Sequence, residues 1–315
     1  MANRALIGKE TPTVVAEVKA EETVPFAEAL GDLNPLYVDE EAAKKSKFGS
    51  LLAPPTFPVT LAAGTMDPNL FFELELNFAS IVHGEQEFEY FKPLKVGQKI
   101  TIEGKVADIT ERQERNGTLD VVVLETTGYD EAGEKIYIAR GTLLSKRLEE
   151  GGQGSGVRDQ GSDPDPPPPA REGKRISTPP SFASLQEGDE IEPMAKPEIT
   201  KQSLIDYGEA ALDGNPMHTD DEFAQDAGYP GVFAQGMLSM GFLAQYLVER
   251  FGIESLRRIK VRFVEHTWPG EKIVCKAVVE RKYTEGGENR VDLDIHTANH
   301  QGEQKLIGKA TVQLP

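Results

Sequence analysis

The chain has 315 residues, and its 52 acidic against 34 basic side chains give it a formal charge of −18. At about 100–200 residues per domain this length favours two domains, and the charge disfavours nucleic acid and anionic membranes as partners. The single cysteine, Cys275, excludes an intrachain disulfide and a cysteine-based zinc site. The first ten residues lack the apolar core of a signal peptide, and the longest apolar run, Met237 to Val248, is too short to span a bilayer. We therefore expect a cytoplasmic protein that binds neither metal nor membrane.

The first half of the chain predicts a polar motif, an apolar helical run and then four strands. The motif lies in Thr23 to Asp39, which reads TVPFAEALGDLNPLYVD, and a Gly/Pro-rich approach at Leu52 to Thr56 leads into the apolar run. Four segments with strand composition and turn residues between them follow. These segments are Gln86 to Phe91, Gln98 to Ile109, Leu119 to Tyr129 and Glu134 to Lys146.

A linker is predicted between the two halves. Residues 148–180 contain 6 Gly and 7 Pro, among them four consecutive prolines from Pro166 to Pro169. Such a composition favours an extended, unpacked chain. The sequence therefore divides into a domain over residues 1–147, a linker over 148–180 and a domain over 181–315.

The second half repeats the order of the first. Ser203 to Asp220 reads SLIDYGEAALDGNPMHTD and shares the pattern D-x-N-P-x-[YH]-x-D with the first half. The helix predicted over Gly236 to Arg250 is apolar on most sides, which is typical of a helix that a sheet wraps around. The four predicted strands after it are Leu256 to Glu265, Lys272 to Tyr283, Arg290 to Ala298 and Gln304 to Leu314. We expect two copies of one α+β fold, each an antiparallel sheet curled around a central helix.

The repeated motif carries a candidate acid–base pair in the second half only. Asp213 and His218 could hold one water between a carboxylate and an imidazole that titrates near neutrality, and so add or remove water. A purely structural turn is the alternative, because Asn-Pro initiates turns and Asp and Asn cap helices. In the first half Asp32 is kept, but Tyr37 takes the histidine position, and a phenol is a poor base at neutral pH. That half is predicted to be catalytically silent, with Asp32 as a turn residue.

Three further features are candidates for binding. The free N–H groups at the start of the apolar helix, with no side chain at Gly236, could stabilise a thioester carbonyl as it becomes enolate-like; close helix packing is the alternative. Lys260 and Arg262 would share one face of a strand and could meet a phosphate, or could form a solvated strand edge. His83, at the start of a strand, is interpreted as a surface or loop histidine rather than a ligand contact.

The stretch from Tyr207 to Asp220, followed by Gln235-Gly236-Met237, resembles the hydratase motif of MaoC-like dehydratases and (R)-specific enoyl-CoA hydratases, which have the hot-dog fold. Residues 5–147, with HGEQ at His83 ahead of FEYFKPL, resemble the N-terminal dehydratase-like domain of longer members. The family usually has His where Gln235 stands, a change that leaves the backbone donor of Gly236 in place.

The resemblance implies two tandem hot-dog domains and reversible hydration across the 2,3 double bond of a thioester of coenzyme A or acyl-carrier protein. It implies that Asp213 and His218 hold the catalytic water and that the Gly236 N–H binds the thioester oxygen, with Asn215 and Gln235 as neighbouring substrate-binding candidates. No cofactor is expected beyond the coenzyme A of the substrate, and the double hot-dog units are expected to form a homodimer. The alternatives are a thioesterase of the same fold and a non-catalytic acyl-thioester binding subunit.

Overall fold

A computed structural model of the chain describes residues 2–62, 65, 68–77, 80–114, 117–147, 173–177 and 180–315. Most of the predicted linker, residues 148–172, lies outside this part of the chain. Within it, the last residues of the predicted linker form a short strand, Arg175–Ile176, that pairs in parallel with the strand Glu190–Glu198. The bounds of the linker stay a prediction.

The described residues form eleven strands and eight α-helices. The strands are β1 (Val14–Glu17), β2 (Ile81–Tyr90), β3 (Lys99–Glu114), β4 (Gly117–Tyr129), β5 (Lys135–Lys146), β6 (Arg175–Ile176), β7 (Glu190–Glu198), β8 (Leu256–Phe263), β9 (Lys272–Glu285), β10 (Glu288–Asn299) and β11 (Gln304–Leu314). The helices are α1 (Ala20–Ala29), α2 (Pro35–Val38), α3 (Glu40–Lys45), α4 (Pro58–Ala62), α5 (Pro68–Glu73), α6 (Lys201–Ala210), α7 (Asp221–Asp226) and α8 (Gly236–Phe251). No helix in these ranges is both long enough and apolar enough to cross a membrane.

One continuous sheet joins the two halves in the order β1-β3-β4-β5-β2-β8-β11-β10-β9-β7-β6. Each half contributes its own sheet, antiparallel except for the short pair β6–β7, and the seam between them is the antiparallel pair β2–β8. At the seam Phe88 lies opposite Ile259, and both side chains are fully buried. The two cores are therefore fused through apolar contacts at the centre of the sheet. The predicted order of four strands after the motif is confirmed in both halves.

Helix α8 is the central helix of the second half. It begins at Gly236 and ends before Gly252, whose φ of +100° suits a residue without a Cβ and whose N–H bonds the carbonyl of Val248. Thirteen of its sixteen residues are buried. This confirms the prediction that the sheet wraps around a helix apolar on most sides, and the predicted double hot-dog architecture is confirmed with it.

Among the described residues of the first half, no helix is as long as α8. These residues form the two short helices α4 and α5 in place of the single apolar run predicted there. Each begins at a proline, Pro58 or Pro68, and proline is accepted at the first turn of a helix but breaks one that would continue through it. The two copies therefore differ most in the element that fills the centre of the sheet.

The repeated motif folds in the same way in both halves. Asn34 and Asn215 accept from the backbone N–H two residues on, and so cap the next turn. Asp39 and Asp220 cap α3 and α7 through two backbone N–H groups each. The structural alternative weighed for the motif is thus correct for these positions, because short polar side chains satisfy the unpaired N–H groups at helix starts. Asp213 accepts from the Asn215 N–H in the same turn but does not cap α7.

Candidate active site

A cavity of about 300 Å³ lies beside the start of α8, at the seam between the halves. The second half lines it with five of the predicted residues: Asp213, Asn215, His218, Gln235 and Gly236. The first half contributes the start of β2, residues 80–83. Cavities of this size suit small ligands or part of a larger one. The structure therefore brings the candidate acid–base pair and the helix start to one place.

The imidazole of His218 is held in one orientation by its backbone partner. Its Nδ1 donates to the carbonyl of Phe233 at 2.7 Å, which assigns the ring hydrogen to Nδ1 and leaves Nε2 as an acceptor. His218 is only 8% exposed. Burial lowers its pKa below the usual value, opposed by the Asp213 carboxylate and by the hydrogen bond to Phe233. The neutral ring therefore presents a basic nitrogen to the cavity at neutral pH.

Asp213 faces that nitrogen across a gap. Its Oδ2 lies 3.9 Å from Nε2 of His218, beyond hydrogen-bond length, while its Oδ1 accepts from the Asn215 N–H at 3.2 Å. The turn that aims the carboxylate is strained, because Leu212 has a φ of +55°, a conformation that costs a residue with a Cβ about 1–2 kcal/mol. The first half has Gly31 at the equivalent position, with a φ of +62°. Two acceptor atoms, Oδ2 of Asp213 and Nε2 of His218, thus face each other across this gap.

Gly236 packs closely as well as opening the helix. A Cβ at this position would lie 2.7 Å from the ring of Phe263, so the packing alternative weighed for this glycine is also correct. The first N–H groups of a helix have no carbonyl partner one turn back, and they carry the positive end of the helix dipole. In α8 the Leu238 N–H bonds the Gln235 carbonyl at 3.1 Å. Gly236 thus lets a polar backbone end border the cavity with no side chain in front of it.

The side chain of Gln235 is engaged elsewhere. It is 1% exposed, and its Nε2 donates to the carbonyl of Leu204 on α6 at 2.9 Å. Its Oε1 is buried and has no hydrogen-bond partner within the described ranges. Gln235 therefore ties the start of α8 to α6. Asn215 is exposed and uses its side chain as a cap, so the substrate contacts expected of both residues stay predictions.

Lys260 and Arg262 share one face of β8, as expected, but it is the face turned away from α8. Their neighbour Val261 is buried against the core, while Lys260 forms an ion pair with Glu85 across the seam at 2.8 Å. Arg262 lines a separate groove that also holds Glu85 and Glu87. The structure does not bring this basic pair into the catalytic cavity, and the phosphate contact stays a prediction.

The interpretation of His83 as a surface or loop histidine is wrong. It lies on β2, is half-buried and lines the cavity together with the catalytic pair. His266 also lines the cavity and packs against Phe233 with ring centroids 4.5 Å apart. A sequence signal for His83 existed in the glycine that follows it in the strand, since such glycines often mark a bulge.

The equivalent pair of the first half is closed off from solvent. Asp32 is 2% exposed and Tyr37 is fully buried, whereas the side chain of Asp213 keeps 35% of its surface. The Tyr37 hydroxyl has no hydrogen-bond partner among the residues described. The buried amine of Lys196 lies nearby and bonds the Leu30 carbonyl at 2.7 Å. The arrangement favours a structural role for Asp32.

Asp32 should make stability depend on pH. Burial raises its pKa to about 6, reinforced by Glu249 and opposed by the Asn34 N–H and Lys196. The folded state then keeps a proton that the unfolded state loses near pH 4, so its stability falls as pH rises through this window and levels off above about 6. Asp32→Asn removes this cost. We expect the difference in free energy of unfolding between the variant and wild type to increase by roughly 1–2 kcal/mol, in favour of the variant, from about pH 5 to about pH 7.5.

Urea unfolding at the two pH values measures this difference. Glu28→Gln, an exposed carboxyl on α1, is the matched control and should shift the free energy of unfolding equally at both. If the difference in free energy of unfolding between Asp32→Asn and wild type did not change with pH, the pKa of Asp32 would be the same in the folded and the unfolded state. Burial would then not raise it.

The fold and the site together define a double hot-dog protein that has one open Asp–His site and one degenerate copy. Residues 183–299 match the family model described as MaoC like domain, and residues 5–139 match the model described as FAS1-like, dehydratase domain region. The chain belongs to the MaoC-like dehydratase family.

The chain is also similar to named proteins and to a solved structure. A UPF0336 protein of Streptomyces avermitilis is 36% identical over 155 residues, which are 47% of this chain and 98% of that protein. The peroxisomal multifunctional enzyme type 2 of Mus musculus is 27% identical over 271 residues, which are 82% of this chain and 31% of that protein. A solved structure described as a MaoC-like dehydratase superposes with a TM-score of 0.79 at 21% identity, covering 99% of both chains. At that identity the superposition shows the fold alone.

Proposed function

We propose that the protein is a hydro-lyase that adds water to, or removes water from, the 2,3 double bond of an enoyl thioester. The observation that carries the proposal is the 3.9 Å gap between Nε2 of His218 and Oδ2 of Asp213, open to a cavity that the start of α8 also borders. The two acceptor atoms are too far apart to bond each other directly. A water placed in the gap between them can donate one hydrogen bond to each.

The chemistry follows from the two acceptors. As the water oxygen bonds to C3 of the thioester, the Asp213–His218 pair takes one of its protons, and one proton is returned to C2. The sum is the addition of one water, and the reverse sequence removes it. The neutral state of His218, which burial favours, is the state that can accept the proton.

The start of α8 would stabilise the charge that develops on the thioester. When water adds at C3, negative charge moves to the thioester oxygen, and an N–H donor fixed at a helix start meets it without reorganisation. Because Gly236 has no side chain, the thioester can approach this donor. We propose a thioester of coenzyme A or of acyl-carrier protein as the substrate, with no metal or further cofactor.

The test is incubation of the purified protein with crotonyl-CoA and longer enoyl-CoAs. We expect loss of the enoyl-thioester absorbance, formation of the 3-hydroxyacyl-CoA and no release of free thiol. Thiol release, measured with a thiol reagent, would favour the thioesterase alternative. Binding across the panel without either change would favour a non-catalytic acyl-thioester binding subunit.

A further inference from the structure

Strand β2 contains a bulge that changes which face His83 occupies. Residues alternate between the two faces of a strand, and Glu85 and Glu87 lie on the outer face, where they form ion pairs with Lys260 and Arg258. Strict alternation would place residue 83 on that outer face as well. The register between β2 and β5 shifts between His83 and Glu85, which makes Gly84 the extra residue of a bulge. His83 is thereby turned towards the cavity side.

A hydrogen bond confirms this orientation. Nε2 of His83 lies 3.1 Å from Oε1 of Gln86, a residue on the inner face. The amide group of Gln86 donates to the carbonyl of Glu87, so its Oε1 is the free acceptor and the ring hydrogen of His83 is on Nε2. Residues 83 and 86 would point to opposite faces of a regular strand. The bulge is what brings them together.

A glycine on the neighbouring strand leaves space beside this pair. A Cβ at Gly141, opposite Gln86 on β5, would lie 3.3 Å from Oε1 of Gln86 and 3.7 Å from Nε2 of His83. A Cβ at Gly84 would instead meet the side chain of Leu144 on β5, at 2.6 Å. A side chain at position 141 would therefore crowd the Gln86 amide that bonds His83, and one at position 84 would disturb the packing of the bulge against β5.

The ring reaches the catalytic half through Phe263. The centroids of the His83 and Phe263 rings are 4.9 Å apart, and Phe263 in turn packs against Gly236 at the start of α8. The neighbouring cavity wall from the first half is formed by Ser80 and by the apolar residues Ile81 and Val82. His83 thus lies where an acyl group would extend from a thioester carbonyl placed at Gly236.

We propose that His83 is a specificity-determining residue, contributed by the catalytically silent half, whose ring contacts the acyl group of the bound thioester and limits its width. The identity of the ligand rests on the function proposed above. The contact itself does not depend on turnover, because a saturated acyl thioester, which cannot be hydrated, would fill the same space.

Binding of saturated acyl-CoAs tests the proposal on the full chain. Calorimetry would compare the Kd of octanoyl-CoA with that of the bulkier 3-phenylpropanoyl-CoA. Wild type should favour the straight chain, and His83→Ala should shift the ratio of the two Kd values about tenfold towards the bulky ligand. His83→Phe keeps a ring of similar size and should keep the wild-type ratio. His83→Asn, which is shorter but still offers an N–H to Gln86, should shift the ratio as alanine does if the alanine variant does not fold.

His296→Ala is the matched control. His296 is also half-buried on a strand, β10, but it does not line the cavity, so the ratio should not change. A ratio within about twofold of wild type in the His83→Ala or His83→Asn variant would overturn the proposal, as would a wild type that binds neither ligand. A wild type that binds both thioesters but does not hydrate enoyl-CoAs would contradict the proposed function, while the ratio would still decide the role of His83.

Discussion

His218→Ala is expected to lower kcat/KM for enoyl-CoA hydration by about 10²–10⁴-fold, the usual contribution of a positioned general acid–base group. The substitution removes Nε2, the ring nitrogen that lies 3.9 Å from Oδ2 of Asp213, and with it the acceptor for the proton of the attacking water. It also removes the hydrogen bond from Nδ1 to the Phe233 carbonyl. Steady-state kinetics on the enoyl-CoA that wild type turns over best measures the loss.

Asp213→Asn separates charge from geometry at the same site. The amide oxygen of asparagine can still accept from the Asn215 N–H, so the turn should hold, but the anionic acceptor facing His218 is gone. We expect a loss of activity comparable to that of His218→Ala with nearly unchanged thermal stability.

The degenerate half provides matched controls for both variants. Asp32→Asn and Tyr37→Phe change the equivalent positions of the first half, both of which are buried. They should leave kcat/KM within about threefold of wild type, since neither residue borders the catalytic cavity. If Asp32→Asn inactivated the enzyme as fully as Asp213→Asn, the assignment of chemistry to the second half would be wrong.

The parts of the molecule with strong periodicity could be predicted from the sequence. The four strands after α8 lie within about two residues of their predicted bounds, because long alternating segments separated by Gly-containing turns leave little choice of register. Strands β1 and β7 were not predicted. β7 contains Pro193 and Pro197, which weaken a strand pattern, and its pairing with β9 is interrupted by register shifts.

Placement at the site was harder to predict than secondary structure. Alternation correctly put Lys260 and Arg262 on one face of β8, but which face points to the cavity depends on where α8 lies. Strand β2 is predicted only from Gln86, which leaves His83 outside it, and the bulge at Gly84 inverts the alternation that a regular strand would impose. One extra residue in a strand exchanges inside for outside, and a single sequence marks it only by a glycine.

Gly236→Ala tests the helix start as a catalytic element. The added Cβ would lie 2.7 Å from the Phe263 ring, closer than real Cβ contacts allow, so either the ring or the start of α8 must move. Displacement of an N–H donor by about 1 Å from the developing oxyanion can cost about 10²-fold in rate. We expect kcat to fall by about that factor, with a loss of about 1–3 kcal/mol in the free energy of unfolding from overpacking.

Gly241→Ala on the same helix separates the two effects. A Cβ there would lie 2.3 Å from the end of the Leu30 side chain, which gives a clash of the same kind at a position outside the cavity. Overpacking should therefore lower stability in both variants, whereas only Gly236→Ala should lose activity beyond what its stability explains. Kinetics at saturating substrate measures kcat, and urea unfolding measures the free energy of unfolding, for both variants. Equal losses of kcat would mean that any displacement of α8 disturbs the site and that the N–H at Gly236 has no separate role.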